Sequence, residues 1–359
     1  MHERLVNQPE MPPNPEEMFV GVQGYEITTS GWLFNPETAF KVAHTLNENR
    51  QKQGKELLKL EVYATQRPAW LDQLAQIKGF QTLEDYLPPQ VTTELIYTYL
   101  KQYPLARISD VHAEFNFSKW EQWLRILGED VFPKLASSTP TERITLGLKN
   151  KIYQAAWIAF FGPASNRRSV DLASELNSEY GGVGLTMHPN IVEGFASNGQ
   201  LEDIKKLVSR LLAENERPYN LSPHLERAKA VGSSPRDLLS DPETVSNLVV
   251  HFYGLDGMVL GADHLTQRGE NLTVHYQKTA NAVRKIHVSG SEGTRVHTAV
   301  AVGSLPVETL LQTVAHTEHP GRLTVALDYS PFEIGKLPFE DQLSMVEKTI
   351  NWMESISRD

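Results

Sequence analysis

The chain contains no cysteine. Disulfides, thiolate ligands and cysteine nucleophiles are excluded, so any metal must be held by nitrogen and oxygen. No apolar run reaches the 18 residues of a membrane span, and residues 1–17 are polar and proline-rich, without an apolar stretch of signal length. A cytoplasmic location, with no membrane partner, is the default expectation. Positive charge is in deficit, with 34 Lys and Arg against 44 Asp and Glu and a formal net charge of −10. Such a surface repels phosphate backbones at long range and argues against a general nucleic-acid binder, although one local basic groove could override it. No GxGxxG or GxxxxGK[ST] motif follows the first predicted strand, so the phosphate-cradling loop of a dinucleotide or P-loop sheet is missing. Internal repeats, low-complexity tracts and linkers are missing too.

What is present is the balance of a globular protein with a large core: 40% hydrophobic and 22% charged residues over a length of 359. Eight apolar, β-branched-rich runs recur, at 19–27, 57–64, 106–114, 182–188, 218–224, 257–262, 283–289 and 322–328. Helix-period segments lie between them. Asn35 with Pro36 opens one helix and Gly54 follows its end, Asp241 with Pro242 opens another, and Leu343, Val346, Ile350, Met353 and Ile356 form one stripe on a final helix. Strict β-then-α alternation requires parallel strands with crossover helices, and eight units favour a closed barrel over an open sheet. The expected fold is therefore α/β, a single (β/α)8 TIM-barrel domain over residues 1–359, with an extended segment at 1–17. A helical insertion at 115–165, rich in aromatics such as Trp120, Trp123 and Trp157, and a long connection at 65–105 break the period. Excursions of this kind are expected to extend the loops of the C-terminal face and to set substrate choice.

Histidines collect at the ends of the predicted strands: His112, His188, His224, His264 and His287, with His297 ten residues on. A single strand-end imidazole can simply bond a loop carbonyl. Several converging on one barrel face are a candidate set of metal ligands and general bases. Asp263 and His264 follow an apolar run side by side and are expected to enter a loop together. His287, with Arg295 and His297 just after it, can bring two imidazoles to one rim. Asp328 ends the last run, as a site carboxylate or as an N-cap of the next turn. Asp110, His112 and Glu114 alternate onto one strand face, which suits either a ligand set or a buried hydrogen-bonded pair. Arg295 can clamp an anion such as phosphate; Arg167 and Arg168 could too, but read as surface residues.

These strings are similar to those of a known family. V-H-A at 111–113, T-M-H-P at 186–189, L-G-A-D-H-L at 260–265, I-H-V-S at 286–289, R-V-H at 295–297 and L-D-Y-S-P at 327–331 resemble the xylose isomerase-like barrel superfamily. That superfamily holds sugar isomerases, epimerases and the endonuclease IV group. The resemblance implies a TIM barrel of carbohydrate metabolism with a divalent metal, zinc or manganese, at its mouth. It matches His112, His188, His264, His287 and His297 to the family's histidines, and Asp328 to an acid that is more usually glutamate. Gly261 stands where the family has an aspartate, Arg295 where it has the acid of an Asp-x-His, and the strand-five glutamate could be met by Asn220, His224 or Glu226. Too few acids remain for a trinuclear nuclease cluster. The resemblance thus implies a sugar or sugar-phosphate isomerase or epimerase with one metal held among His264, His287, Asp328, Glu226 and His297. Asp263, His188 and His112 would be catalytic, and Arg295, Glu114 and His224 would contact a small-molecule substrate; barrels of this kind often pair as homodimers. The alternatives are a barrel with a decayed metal site that binds without turnover, an endonuclease IV-like phosphodiesterase, and a metal-dependent oxidative or peptide-modifying enzyme.

Overall fold

The computed structural model describes residues 24–30, 36–63, 91–116, 163–190, 223–226, 241–251, 255–267, 269–292, 295–319, 321, 323–329, 334–335 and 337–356. For 30, 114–116, 163–167, 188–190, 223–226, 251, 267, 292 and 295–297 only the backbone is described. The expected segment 1–17 and most of 65–105 and 115–165 lie outside these residues.

In chain order the elements are β1 (Tyr25–Ser30), α1 (Pro36–Lys52), β2 (Lys59–Tyr63), α2 (Thr93–Gln102), β3 (Ile108–Asn116), α3 (Pro163–Tyr180) and β4 (Gly184–Asn190). Then come β5 (Pro223–Glu226), α4 (Pro242–His251), β6 (Gly257–Gly261), α5 (Ala262–Gln267), α6 (Leu272–Thr279) and β7 (Val283–Val288). A short hairpin, β8 (Gly290–Glu292) with β9 (Arg295–Thr298), precedes α7 (Leu305–His316), β10 (Leu323–Leu327) and α8 (Phe339–Ile356). Strands β1 to β7 and β10 close into one barrel, all neighbours parallel, with β1 paired to both β2 and β10. The expected eight-stranded barrel is present.

Local chemistry sets the helix ends. Gly54 takes φ +67 just past α1, where an L side chain would be strained, and Lys55 N–H donates to the Arg50 carbonyl at 2.9 Å to close the turn. Asp241 Oδ2 accepts from the Thr244 N–H at 3.0 Å and its hydroxyl at 2.6 Å, capping α4 as the sequence suggests. On α8 the buried stripe is Val346, Ile350, Met353 and Ile356, with Leu343 packed at its edge.

Period-two alternation then sorts each barrel strand. In β2, Leu60 and Val62 are buried against the helix layer, alongside Phe40, Val42, Ala43 and Leu46 of α1, while Glu61 between them faces the opposite way, into the barrel. The outer layer continues with Val111, Leu185, Met258, Leu260, Ile286 and Val325, each worth about 2 kcal/mol or more of burial for the larger side chains. Asn47 of α1 ties helix to strand: its amide donates to the Leu58 and Leu105 carbonyls at 2.9 and 2.8 Å, and its oxygen accepts from Leu58 N–H at 2.7 Å.

Four expectations need correction. The first strand, predicted at 19–27, of which 19–23 lie outside the described residues, runs on past Ile27 to Ser30, because Thr28 and Thr29, both buried, continue the alternation. The fifth strand runs to Glu226 rather than stopping at His224. Asp263 and His264 do not enter a loop: α5 starts directly after β6, so both lie in its first turn. The segment carrying Arg295 and His297 is a strand of the β8–β9 hairpin.

Candidate metal and catalytic site

A TIM-barrel interior is ordinarily filled by bulky branched side chains. Here its middle is charged. Lys285 of β7 is 2% exposed and reaches across the barrel, its Nζ lying 2.8 Å from Glu61 Oε2 on β2, 2.8 Å from Asp110 Oδ2 on β3 and 3.0 Å from Thr186 Oγ1 on β4. A buried ammonium needs such partners, and its three N–H donors meet three acceptors from three strands. The carboxylates hold the Lys285 pKa above its ordinary value although burial alone would lower it.

One layer higher, two residues on along β3 and β7, stand His112 and His287. Glu61 Oε1 lies 2.8 Å from His112 Nδ1 and 3.2 Å from His287 Nε2, and the two rings are 5.3 Å apart between centroids. Glu61 is fully buried, which by itself would raise its pKa; the charges of Lys285 and His287 and the hydrogen bonds from His112 and His287 outweigh burial and hold it well below the ordinary carboxylate value. The ligand atoms of Glu61, His112 and His287 all lie within 4.8 Å of one another, the one such convergent group among the described residues. Two imidazole nitrogens and a carboxylate oxygen are a donor set that would suit one zinc or a similar divalent ion.

Tyr63, next inward on β2, stacks on the His112 ring at 4.1 Å, and its hydroxyl donates to Asp328 Oδ1 at 3.2 Å. Asp328, just past β10, places Oδ2 3.7 Å from His287 Nδ1, so His287 lies between Glu61 on one side and Asp328 on the other. On the other flank of β7, Gly261 pairs in register with His287, and a side chain there would point the same way as the imidazole. That direction is filled instead by His264, whose Cδ2 would lie 3.1 Å from a Gly261 Cβ, and by Asp263 Oδ1 at 3.5 Å. The missing side chain at 261 makes room for both. Asp263 Oδ1 also accepts the His264 N–H at 2.8 Å within the first turn of α5.

Of the residues singled out from sequence, the structure thus brings His112 and His287 together, sets Asp328 beside them, and puts Asp263 and His264 on the neighbouring strand end. Asp110 lies below, on Lys285. Arg168 is exposed on α3. Backbone positions alone are described for Glu114 and His188, which pair in register on β3 and β4, for His224 and Glu226 on β5, for Arg295 and His297 on β9, and for Arg167 on α3; their side chains lie outside the described residues, as does Asn220. Sequence reasoning missed Glu61, Tyr63, Thr186 and the role of Lys285. A signal existed: a glutamate and a lysine at central positions of apolar strands imply partners in a common interior.

No family model matches the chain, and no curated protein matches it. Solved structures do. A crystal structure of the IolI protein with a bound zinc atom superposes with a TM-score of 0.52 at 15% identity, covering 92% of this chain and 99% of that one. L-ribulose 3-epimerase gives 0.52 at 12%, covering 93% and 96%; a xylose isomerase-like TIM barrel/4-hydroxyphenylpyruvate dioxygenase fusion protein gives 0.52 at 10%, covering 93% of this chain and 43% of that one. The fold shared with these structures is the closed (β/α)8 barrel. At these identities the likeness is one of fold, and it agrees with the resemblance seen in the short sequence motifs. No helix among the described residues is long and apolar enough to cross a membrane.

Proposed function

We propose that this xylose isomerase-like barrel is an isomerase or epimerase of a small sugar or sugar phosphate, with one divalent metal, zinc or manganese, held by Glu61, His112 and His287. The observation that carries the reading is the pair of imidazole nitrogens converging on one oxygen of a fully buried carboxylate. A bound divalent ion supplies Lewis acidity at a substrate carbonyl.

The chain's own residues then carry protons. Epimerisation beside a carbonyl removes a proton from carbon and returns one to the opposite face, which calls for two proton-handling groups. Asp263 and Asp328 stand just past the ends of the two strands that flank β7 and are assigned these roles, with His264 and Tyr63 orienting them. His188, Glu226 and His297 are assigned to complete the shell or relay protons, and Glu114, His224 and Arg295 to bind the substrate, Arg295 through a phosphate where one is present. The test is incubation of metal-loaded protein with ketoses and ketose phosphates in deuterium oxide, followed by NMR. The reading expects a new epimer or isomer carrying deuterium at the reacting carbon; neither label nor product with any sugar counts against it.

A second reading has one observation behind it. Lys285 already satisfies Glu61 and Asp110, so the network closes on itself without a metal, as in a barrel that binds a small molecule without turnover. Sugar binding with no deuterium exchange, in protein that takes up no metal, would favour it.

A further inference from the structure

We infer that Lys285 is a positioning residue of this site, holding one oxygen of Glu61 on the barrel floor so that the other is turned to the imidazoles. The inference rests on the metal reading above. Lysine is among the residues least often buried, and one whose only task was to fill space would be replaced at lower cost by an apolar side chain. Its contacts orient Glu61: Oε2 takes the ammonium at 2.8 Å, with His287 Nε2 also 3.3 Å away, while Oε1 faces His112 at 2.8 Å and His287 at 3.2 Å. Turning the carboxylate would break the ammonium contact. The ammonium is itself fixed from the far side by Asp110 and Thr186, so strands β2, β3, β4 and β7 together set one carboxylate orientation. This is the arrangement of groups that orient a metal's ligands without touching the metal, and losing such a group commonly weakens metal binding about 10- to 100-fold.

Charge alone argues in the opposite direction. An ammonium below a cation site repels the cation, so a lysine that acted only through its charge would weaken binding, and its removal would strengthen it. The double variant Lys285→Met with Asp110→Asn removes one charge of each sign and leaves the formal balance unchanged. Cobalt(II) is the probe, because its visible absorption reports ligand geometry as well as occupancy. If Lys285 positions Glu61, the folded double variant binds cobalt about 10- to 100-fold more weakly than the unchanged protein and its visible spectrum shifts. Unchanged affinity and spectrum in folded protein would overturn the inference and leave Lys285 as a counter-charge. Should the double variant not fold, Thr186→Val frees only one of the three donors; it is expected to shift the cobalt spectrum, and an identical spectrum overturns the inference equally. Failure of the unchanged protein to bind cobalt would instead remove the metal reading, and this inference with it.

Discussion

Replacing Glu61 with glutamine keeps the shape of the side chain and removes the charge on which Lys285, His112 and His287 converge. Taking one partner from a buried ion pair costs about 3–5 kcal/mol, because the other charge is left in a low-dielectric interior. Lys285 keeps Asp110 at 2.8 Å and Thr186 at 3.0 Å, which places the expected loss at the lower end, about 3 kcal/mol. At about 2.1 cal/mol/K of unfolding entropy per residue, that corresponds to a fall in Tm of roughly 4 °C for a chain of this length. The assay is thermal or urea unfolding followed by circular dichroism, with chelator present so that no metal contributes. The pH dependence supplies a second check. A carboxylate whose folded pKa is depressed contributes stability that is fully present above its unfolded value, about 4.3, and is lost as pH falls through the folded value. The gap between the two proteins should therefore be full at neutral pH and shrink on acidification below about 4. A gap under about 1 kcal/mol at neutral pH, or one that widens with acid, would refute an ionised Glu61 held by this network.

Other perturbations test neighbouring parts of the account. Tyr63→Phe removes the hydroxyl bond to Asp328 but keeps the ring over His112, so it should cost about 1 kcal/mol in unfolding experiments and slow turnover more than it weakens metal binding. Asn47→Ala strips three hydrogen bonds that pin β2 and the approach to β3, and a loss of about 2–4 kcal/mol is expected; a loss below 0.5 would mean α1 does not hold the site's scaffold (about 1 kcal/mol per bond). Gly261→Ala pushes against His264 at 3.1 Å and should lower turnover while changing Tm little; a large fall in Tm with unchanged specific activity would contradict the placement of α5 over this glycine.

The barrel was legible because its signals are redundant: eight apolar runs, capped helices and no phosphate-binding glycine loop converge on closure. Strand ends were less so. Thr28 and Thr29 read as a turn in isolation, yet both are buried in β1, one on each face. The site was half legible. Histidines at strand ends advertise themselves, and His112, His287 and Asp328 do meet at one end of the barrel. Glu61 does not advertise itself, because a lone acid in an alternating strand is equally a solvated face; only closure of the barrel reveals that its outward direction is the shared interior. Lys285 was hidden for the same reason, its partners lying 99 to 224 residues away in sequence. Asp263 and His264 stand out in the sequence, but the turn that carries them is helical, since Gly261 lets α5 fold back directly over β6.

The most direct measurement is the metal content of the purified protein, as moles of each transition metal per chain after zinc or manganese loading and gel filtration, beside Glu61→Gln and His287→Ala. The account expects about one ion per chain in the unchanged protein and well under a tenth of that in either folded variant. Retention of the metal by both variants, or no uptake by the unchanged protein, would contradict the claim that Glu61, His112 and His287 form the centre of this site.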